Sequence, residues 1–390
     1  MINTTKAVGA KETFDSKRIQ SLLSQGVITN ITNLEKAIFC LEYAGQLQEE
    51  GSDLILKGGS ALQILLGTKW TRLSIDIDIC TDSSREELET ILGKIHSKFD
   101  KKAFSYTPRN REISGRIPFY LYRIETPAIT EKSRTILLDA MGIKPKIATQ
   151  QTSLKTFFYE SSAKITTATT GALLGDKLTI IGPTSIGRPL NDSRNGLEYA
   201  KHFFDIGVLQ ETDFHIQQCK AAYTEVIRVQ SKIRNKEYTQ DQCFEDMLFT
   251  CQVASLPQQI GEQAIKELTS SRVNRAASEL RILQDGLRRF RPFLVEKVSY
   301  TWDDLRNNAA RTALLTKMLN SKIASSKAIK ILNTNAPTKK EEISALIEEI
   351  KKIPKEKRWF IIPNEIVNFP KILRAWHSFF FLDELIQSQN

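Results

Sequence analysis

Residues 54–80 leave this part of the chain few ways to fold. The apolar run Leu54-Ile-Leu-Lys57 leads into Gly58-Gly59-Ser60, continues as Ala61-Leu-Gln-Ile-Leu-Leu66, and is followed by Arg72-Leu-Ser-Ile-Asp-Ile-Asp-Ile-Cys80. The first run reads as a strand, the glycines as a tight turn opening a helix, and the last as a second strand with alternating character. Side chains alternate across a strand, so Ile75, Ile77 and Ile79 are expected on the core face and Asp76 and Asp78 together on the other. Carboxylates that close repel one another, and a fold tolerates them where a cation, most often a divalent metal, lies between them. Gly58 and Gly59 permit a backbone that aims N–H groups outward. Ser60 stands at the helix start, where free donors and the helix dipole favour an anion such as phosphate.

Each piece alone has an ordinary explanation. A Gly-Gly-Ser is a turn with an N-cap, and an Asp-x-Asp can be the wet side of an edge strand; it is their succession that points to a site. Asp76, Asp78, Cys80, Asp82 and Glu87 also fall at the ligand spacing of an EF-hand calcium loop. That reading fails because Thr81 stands where the loop requires glycine, and Ile77 and Ile79 mark a strand.

A chain of 390 residues is expected to form two or three domains. Apolar residues make up 41% and charged residues 26%, ordinary globular usage, and no apolar run reaches membrane-helix length. The N-terminus Met1-Ile-Asn-Thr-Thr-Lys lacks the pattern of a secretory signal, so a cytoplasmic location is expected. Five dispersed cysteines without a Cys-x-x-Cys, and four histidines, speak against a structural zinc site. The formal charge of +10 favours an acidic partner, with nucleic acid foremost, although a basic balance also serves solubility alone. Basic residues gather at Arg272–Arg275, Arg288–Arg291 and Lys351–Trp359, where Phe290 and Trp359 are expected to be able to stack on bases.

A helical period covers Ile31–Gln48. Ser83 or Ser84 is expected to cap a helix through Lys98, with acids in its first turns. Short runs at Phe104–Tyr106, Arg116–Thr126 and Arg134–Met141 read as strands of a small mixed sheet. The last of them brings Asp139 to a strand end, where a carboxylate ordinarily turns back to solvent or caps a loop. From about Thr167 the pattern is helical: 172–181, 196–208, 213–232, 240–255, 260–291, 302–319, 324–332 and 340–353, with Pro183–Pro189 separating the first two. The boundary is expected within 145–170, which lacks clear periodicity, and is drawn as 1–160 and 161–390.

Gly58-Gly59-Ser60 with Arg72-x-Ser74-x-Asp76-x-Asp78 resembles the first motif of the AbiEii/MenT-type nucleotidyltransferase toxins, a branch of the DNA polymerase β-like superfamily. Leu173-Leu-Gly-Asp-Lys-Leu178 and Leu197-Glu-Tyr-Ala-Lys-His-Phe-Phe-Asp-Ile-Gly207 resemble that family's later motifs, in the same order. The likeness covers roughly residues 50 to 210. It implies an α+β protein with an N-terminal polymerase β-like core and a large all-helical C-terminal domain that completes the site and holds the acceptor.

The resemblance further implies Mg²⁺ on Asp76 and Asp78, with Asp139 as candidate third ligand. Gly59, Ser60, Arg72, Ser74 and Lys177 would hold the phosphates of an NTP, and Lys177 and Asp205 would be catalytic. From the residues alone, Lys201 and Asp205 are also what an exposed helical ion pair looks like, Lys177 a surface lysine, and Arg72 and Ser74 parts of a turn. The implied acceptor is RNA, at the 3′ end of tRNA, with a block of translation and a small cognate antitoxin as partner. Two alternatives remain open: nucleotidyl transfer to a protein or a small molecule such as an aminoglycoside, and a non-catalytic RNA-binding protein of the same fold.

Overall fold

The computed structural model describes residues 2–69, 72–99, 103–109, 117–130, 132–259, 264–266, 268, 270–295 and 297–387. The chain divides into two compact units. One comprises Met1–Leu173 with Val229–Glu237 and Pro292–Ser299; the other comprises Leu174–Arg228, Tyr238–Arg291 and Tyr300–Asn390.

The first unit is built on a seven-stranded mixed sheet of β1 (Leu54–Lys57), β2 (Asp76–Thr81), β3 (Tyr106–Pro108), β4 (Phe119–Glu125), β5 (Thr135–Met141), β6 (Thr149–Lys155) and β7 (Glu160–Ala168), in the order β3-β4-β5-β2-β1-β7-β6. β2 is the central strand, antiparallel to β1 and parallel to β5. Its alternation is obeyed: Ile77 and Ile79 are buried at 0% and 1% exposure, whereas Asp76 and Asp78 are partly exposed. Among the described residues the α-helices lying wholly in this unit are α1 (Ser16–Ser24), α2 (Ile31–Glu49), α3 (Gly58–Leu66) and α4 (Arg85–Lys98). α4 starts with the expected Ser84 cap, completed into a capping box by Glu87. Ile55, Cys80, Ile117 and Met141 pack with Val229 and Ile233, the reason the short return Val229–Glu237 belongs here.

Two expectations are corrected. The stretch without a period is the β6–β7 hairpin, so the sheet runs to Ala168 and the first unit to Leu173, past the expected boundary at 160. Polar residues dominate because β6 is an edge strand, with only Thr152 and Leu154 buried along it. Phe104, expected in a strand, adopts φ 55° and is fully buried, its ring edge-on to Phe99 at 4.8 Å and to Phe39 at 6.0 Å.

The second unit is helical throughout its described residues. α5 (Thr170–Leu178) leads into it, followed by α6 (Ser193–Gln210), α7 (Ile216–Ile233), α8 (Gln240–Ala254) and further helices at Ser270–Arg288, Trp302–Leu319, Ser325–Leu332, Lys340–Lys351 and Pro370–Phe380. The start of the helix expected at 260 lies partly outside the described residues. No helix among the described residues is long and apolar enough to cross a membrane. All five cysteines are buried and none is joined in a disulfide.

A buried carboxylate ties the first unit together. Glu42 of α2 accepts from the backbone N–H of Val8 and Gly9, both at 2.9 Å, from Gln46 Nε2 at 2.7 Å and from the Tyr159 hydroxyl at 2.8 Å. It thereby joins the N-terminal segment, α2 and the β6–β7 loop. Removing an acceptor that satisfies several buried donors costs each donor its desolvation penalty. Glu42→Ala is therefore expected to lose at least about 3 kcal/mol of stability and Glu42→Gln less, checked by urea denaturation; equal losses would show that the charge is irrelevant.

Candidate functional site

β1 ends at Lys57 because the chain must turn. Gly58 has φ +67°, a region open to glycine, and a methyl group there would overlap the Asp78 carboxylate. Gly59 faces Ser74 and Arg72 in the same way, so a methyl there would overlap the Ser74 hydroxyl and crowd the guanidinium. The glycine turn is thus pressed against the end of β2, and the sequence pieces quoted for the site meet in space. α3 begins directly at Gly58, and no side chain caps it at Lys57. Its first N–H groups form the anion-favouring end anticipated from the sequence.

The remaining residues of this half serve the same corner. Ser60 is fully buried and its hydroxyl donates to the backbone oxygen of Asp76 at 2.6 Å, so it latches the helix to the strand that carries the acids. The Ser74 N–H donates to Gln63 Oε1 at 2.8 Å. Arg72 is buried at 4% exposure, donates from Nη1 to the Leu73 carbonyl at 3.0 Å, and bridges to Leu294; beside it Leu73 N–H donates to Phe293 O at 2.7 Å. The return Pro292–Ser299 therefore supports the Arg72–Ser74 turn.

Asp139 lies opposite Asp78 in the parallel register of β2 and β5, and Lys57 opposite Asp78 in the antiparallel register of β1 and β2. Register partners share a face, so Lys57, Asp76, Asp78 and Asp139 all project from one side of the sheet centre. Arg109, from the segment after β3, donates to the Asp139 carboxylate. Three residues escaped the sequence reading. Arg109 sits in an aperiodic stretch with further arginines and gave no signal of its own, and Gln63 looks like any helical polar residue. Lys57, directly before the glycines, could have been found from the pairing of β1 with β2. Beneath the acids, burial pushes the Cys40 thiol well up, with the Asp76 charge adding to it.

Divalent-metal chemistry fits this donor set in a limited way. Among the described residues no group of three or more His, Cys, Asp and Glu side chains is arranged to hold a metal. Asp76 and Asp78 would offer two hard oxygen ligands, the number with which Mg²⁺ is commonly held when phosphates and water supply the rest.

The other candidates lie in the helical unit. Lys177 of α5 donates to Asp205 of α6 at 2.7 Å, and the two side chains are 2% and 0% exposed. Asp205 thus makes its ion pair across two helices, where the sequence offered a pairing with Lys201 along one. Lys201 donates to Glu198 at 2.9 Å. Lys177 is an enclosed ammonium on a carboxylate, not the surface lysine of the alternative reading. Removing one partner of such a pair strands a buried charge and costs about 3–5 kcal/mol.

Next to the pair, His202 is held down to about 3 by burial and then by the Lys177 charge, against the pull of Asp205 and Glu198. Its Nδ1 is buried without a partner. Burial works against ionisation of Glu198, but the Lys201 and Arg188 charges and the hydrogen bond from Lys201 outweigh it and hold that carboxyl at about 2. The loop Pro183–Pro189 is anchored by Asp246, which accepts from the N–H and hydroxyl of both Thr184 and Ser185 at 2.6–2.8 Å and from Arg275 at 2.6 Å.

The aromatic residues of the basic clusters do not face solvent. Phe290 is fully buried against Phe204 and Tyr300, and Trp359 is 4% exposed and donates to Gln252. Arg288 and Arg289 both pair with Asp285. Base stacking by these rings is therefore excluded in this fold.

Two outcomes follow. Gly51 has φ +87° with nothing within 4 Å of where a methyl group would stand, whereas Gly58 is both left-handed and crowded by Asp78. Gly58→Ala is expected to lose more stability than Gly51→Ala by about 1 kcal/mol or more in urea midpoints. Equal losses would mean that the turn yields freely. His202 stays neutral in the folded chain but binds a proton below about 6.5 when unfolded. Stability therefore falls as pH drops from about 6.5 toward 3, by at most about 1.4 kcal/mol per unit from this residue. Glu198 adds a loss between about 4.5 and 2. His202→Leu should flatten the fall between pH 6.5 and 5 in denaturant titrations; an unchanged slope would clear His202 of it.

A family model described as nucleotidyl transferase AbiEii toxin, Type IV TA system, matches residues 43–308. The chain is also similar to a solved structure, MenT4, a nucleotidyltransferase toxin from Mycobacterium tuberculosis H37Rv. The identity is 12%, with 81% of this chain and 99% of that one covered, at a TM-score of 0.38. No curated protein matches.

Proposed function

The chain belongs to the AbiEii family of nucleotidyl transferase toxins, and from that premise we propose that it transfers a nucleotidyl group from an NTP to the 3′ end of tRNA in a Mg²⁺-dependent step, blocking translation. The observation that carries this reading is the corner where Gly58 and Gly59 press on Asp78, Ser74 and Arg72. Nucleotidyl transfer needs phosphates held in line with an attacking hydroxyl and charge neutralised as pyrophosphate leaves. The uncapped first turn of α3 offers backbone N–H groups to the phosphates, with Lys57 and Arg72 supplying positive charge beside it. Ser60 and Ser74 keep the turn and the strand end in place. Asp76 and Asp78 would hold Mg²⁺, which when bound neutralises phosphate charge and lowers the pKa of the hydroxyl.

Asp139 is the third carboxylate of the face, with Arg109 orienting it. Lys177 and Asp205 enter as positioning residues, since so enclosed a pair acts by fixing α5 against α6. A cognate antitoxin is the expected protein partner, and the cytoplasm, where tRNA and NTPs meet, the expected place.

The test is transfer of α-labelled nucleotide from each of the four NTPs to total tRNA, resolved on a denaturing gel. Asp76→Asn and Asp78→Asn are each expected to lower the rate by about a hundredfold or more while the far-UV spectrum is unchanged. Transfer at the wild-type rate in both variants would overturn the assignment. Label on protein or on an added aminoglycoside instead of RNA would keep the site and replace the acceptor.

A further inference from the structure

The helical unit contains a pocket of about 250 Å³ that none of the residues above accounts for. Its lining includes Asn307 and Arg311 of helix Trp302–Leu319, Asn333 and Asn335 after helix Ser325–Leu332, and Lys371 and Arg374 of helix Pro370–Phe380. Apart from Glu211 and Asn307, the lining lies beyond residue 308, where the family match ends. The pocket therefore lies mostly outside the segment that the family model matches.

Its charge is unbalanced. Three cationic side chains, Arg311, Lys371 and Arg374, meet one carboxylate, Glu211. Glu211 lies 3.5 Å from Arg311 but is 71% exposed, so its compensation is weak. Arg374 buries its Nε with no hydrogen-bond partner, and Arg311, whose Nη2 also reaches the Gln210 carbonyl at 3.4 Å, has its pKa lowered by burial despite Glu211. Folded proteins seldom leave such donors unsatisfied unless something else pairs with them. Helix Pro370–Phe380 also starts without a side-chain cap, which favours an anion near Lys371. The end of helix Ser325–Leu332 at Asn333 works the other way, but two guanidinium groups and an ammonium outweigh it.

We propose that this pocket binds a backbone phosphate of single-stranded RNA, with Arg311, Lys371 and Arg374 as its ligands. Guanidinium groups match phosphate oxygens in pairs, and the asparagine side chains offer donors and acceptors to the adjoining sugar or base. The volume sits just below the range of about 300–1,000 Å³ typical of small-molecule sites, which suits one phosphate with its ribose. A duplex is too wide to enter. The choice of RNA as the source of the phosphate rests on the acceptor class proposed above; the phosphate chemistry does not.

The experiment measures binding of the full chain to a labelled single-stranded oligoribonucleotide by fluorescence anisotropy, in EDTA and without NTP, over a salt series. Lys371→Gln combined with Arg374→Gln is expected to weaken binding about tenfold and to reduce the slope of log affinity against log salt by about 0.7, the contribution of one single-strand phosphate. Arg374→Lys should recover part of the slope, which a merely structural role would not. If the double variant fails to fold by circular dichroism, Lys371→Gln alone, at an exposed position, should shift the slope in the same direction. Unchanged affinity and slope would overturn the proposal. Lost protection by AMP or inorganic phosphate in thermal melts, with RNA binding intact, would overturn the assignment to RNA in favour of a free phosphate ligand. Because no transfer is read, RNA held by these cations in a chain that labels no RNA would sink the transferase acceptor and leave the pocket standing.

Discussion

The register of β2 governs the first unit. Acids and isoleucines alternate on the central strand, so a slip of one residue would turn Asp76 and Asp78 into the core and Ile77 and Ile79 out of it. That penalty fixes the pairing with β1 on one side and β5 on the other. The rest follows from it. Lys57 and Asp139 are brought level with Asp78, the turn after Lys57 must pass close over the carboxylate, and only a residue without a side chain fits there. Ser60 then fastens α3 to the strand through the Asp76 carbonyl. Gly58, Gly59, Ser60, Ser74, Asp76 and Asp78 are in this sense one mechanical part.

That part was legible because its period is local. Alternation along five residues names the faces of β2, and two adjacent glycines mark a turn, without knowledge of anything distant in the chain. The α4 capping box was legible for the same reason. The β6–β7 hairpin was not, because an edge hairpin can leave much of both strands wet and so needs no apolar alternation. Nor was the support for Arg72 and Leu73, which comes from Phe293 and Leu294 more than two hundred residues away. Phe290 and Trp359 misled for the opposite reason: basic neighbours made them look like a wet stacking surface, while tertiary packing had already taken their rings. Arg109 illustrates the limit, since nothing in an aperiodic stretch distinguishes it from Arg111 or Arg116.

Both units bury charge where apolar packing would serve stability as well. In the first, Glu42 and Glu35 are fully buried carboxylates; Glu35 accepts from Thr130 N–H at 2.9 Å and pairs with Arg134 at 2.7 Å. Each collects donors from segments far apart in sequence, so directionality, which an apolar contact lacks, specifies which loop goes where. Asp246 does the same for the loop after Ile181.

The Lys177–Asp205 pair is the extreme of this habit. A buried pair is at best a modest source of stability against apolar residues of the same size, because desolvation offsets most of the attraction. Its effect is instead geometric: an ammonium and a carboxylate at 2.7 Å admit one relative placement of α5 and α6, where leucines would admit several. Between those two positions the chain contains the Pro183–Pro189 loop, held in its turn by Asp246 and, through Arg275, by helix Ser270–Arg288. The stretch from Lys177 to Asp205 is therefore fixed at both ends and in the middle by charge. His202, kept neutral in the midst of it, leaves the balance of the pair undisturbed across the physiological range, since protonating it would add a second cation beside Lys177.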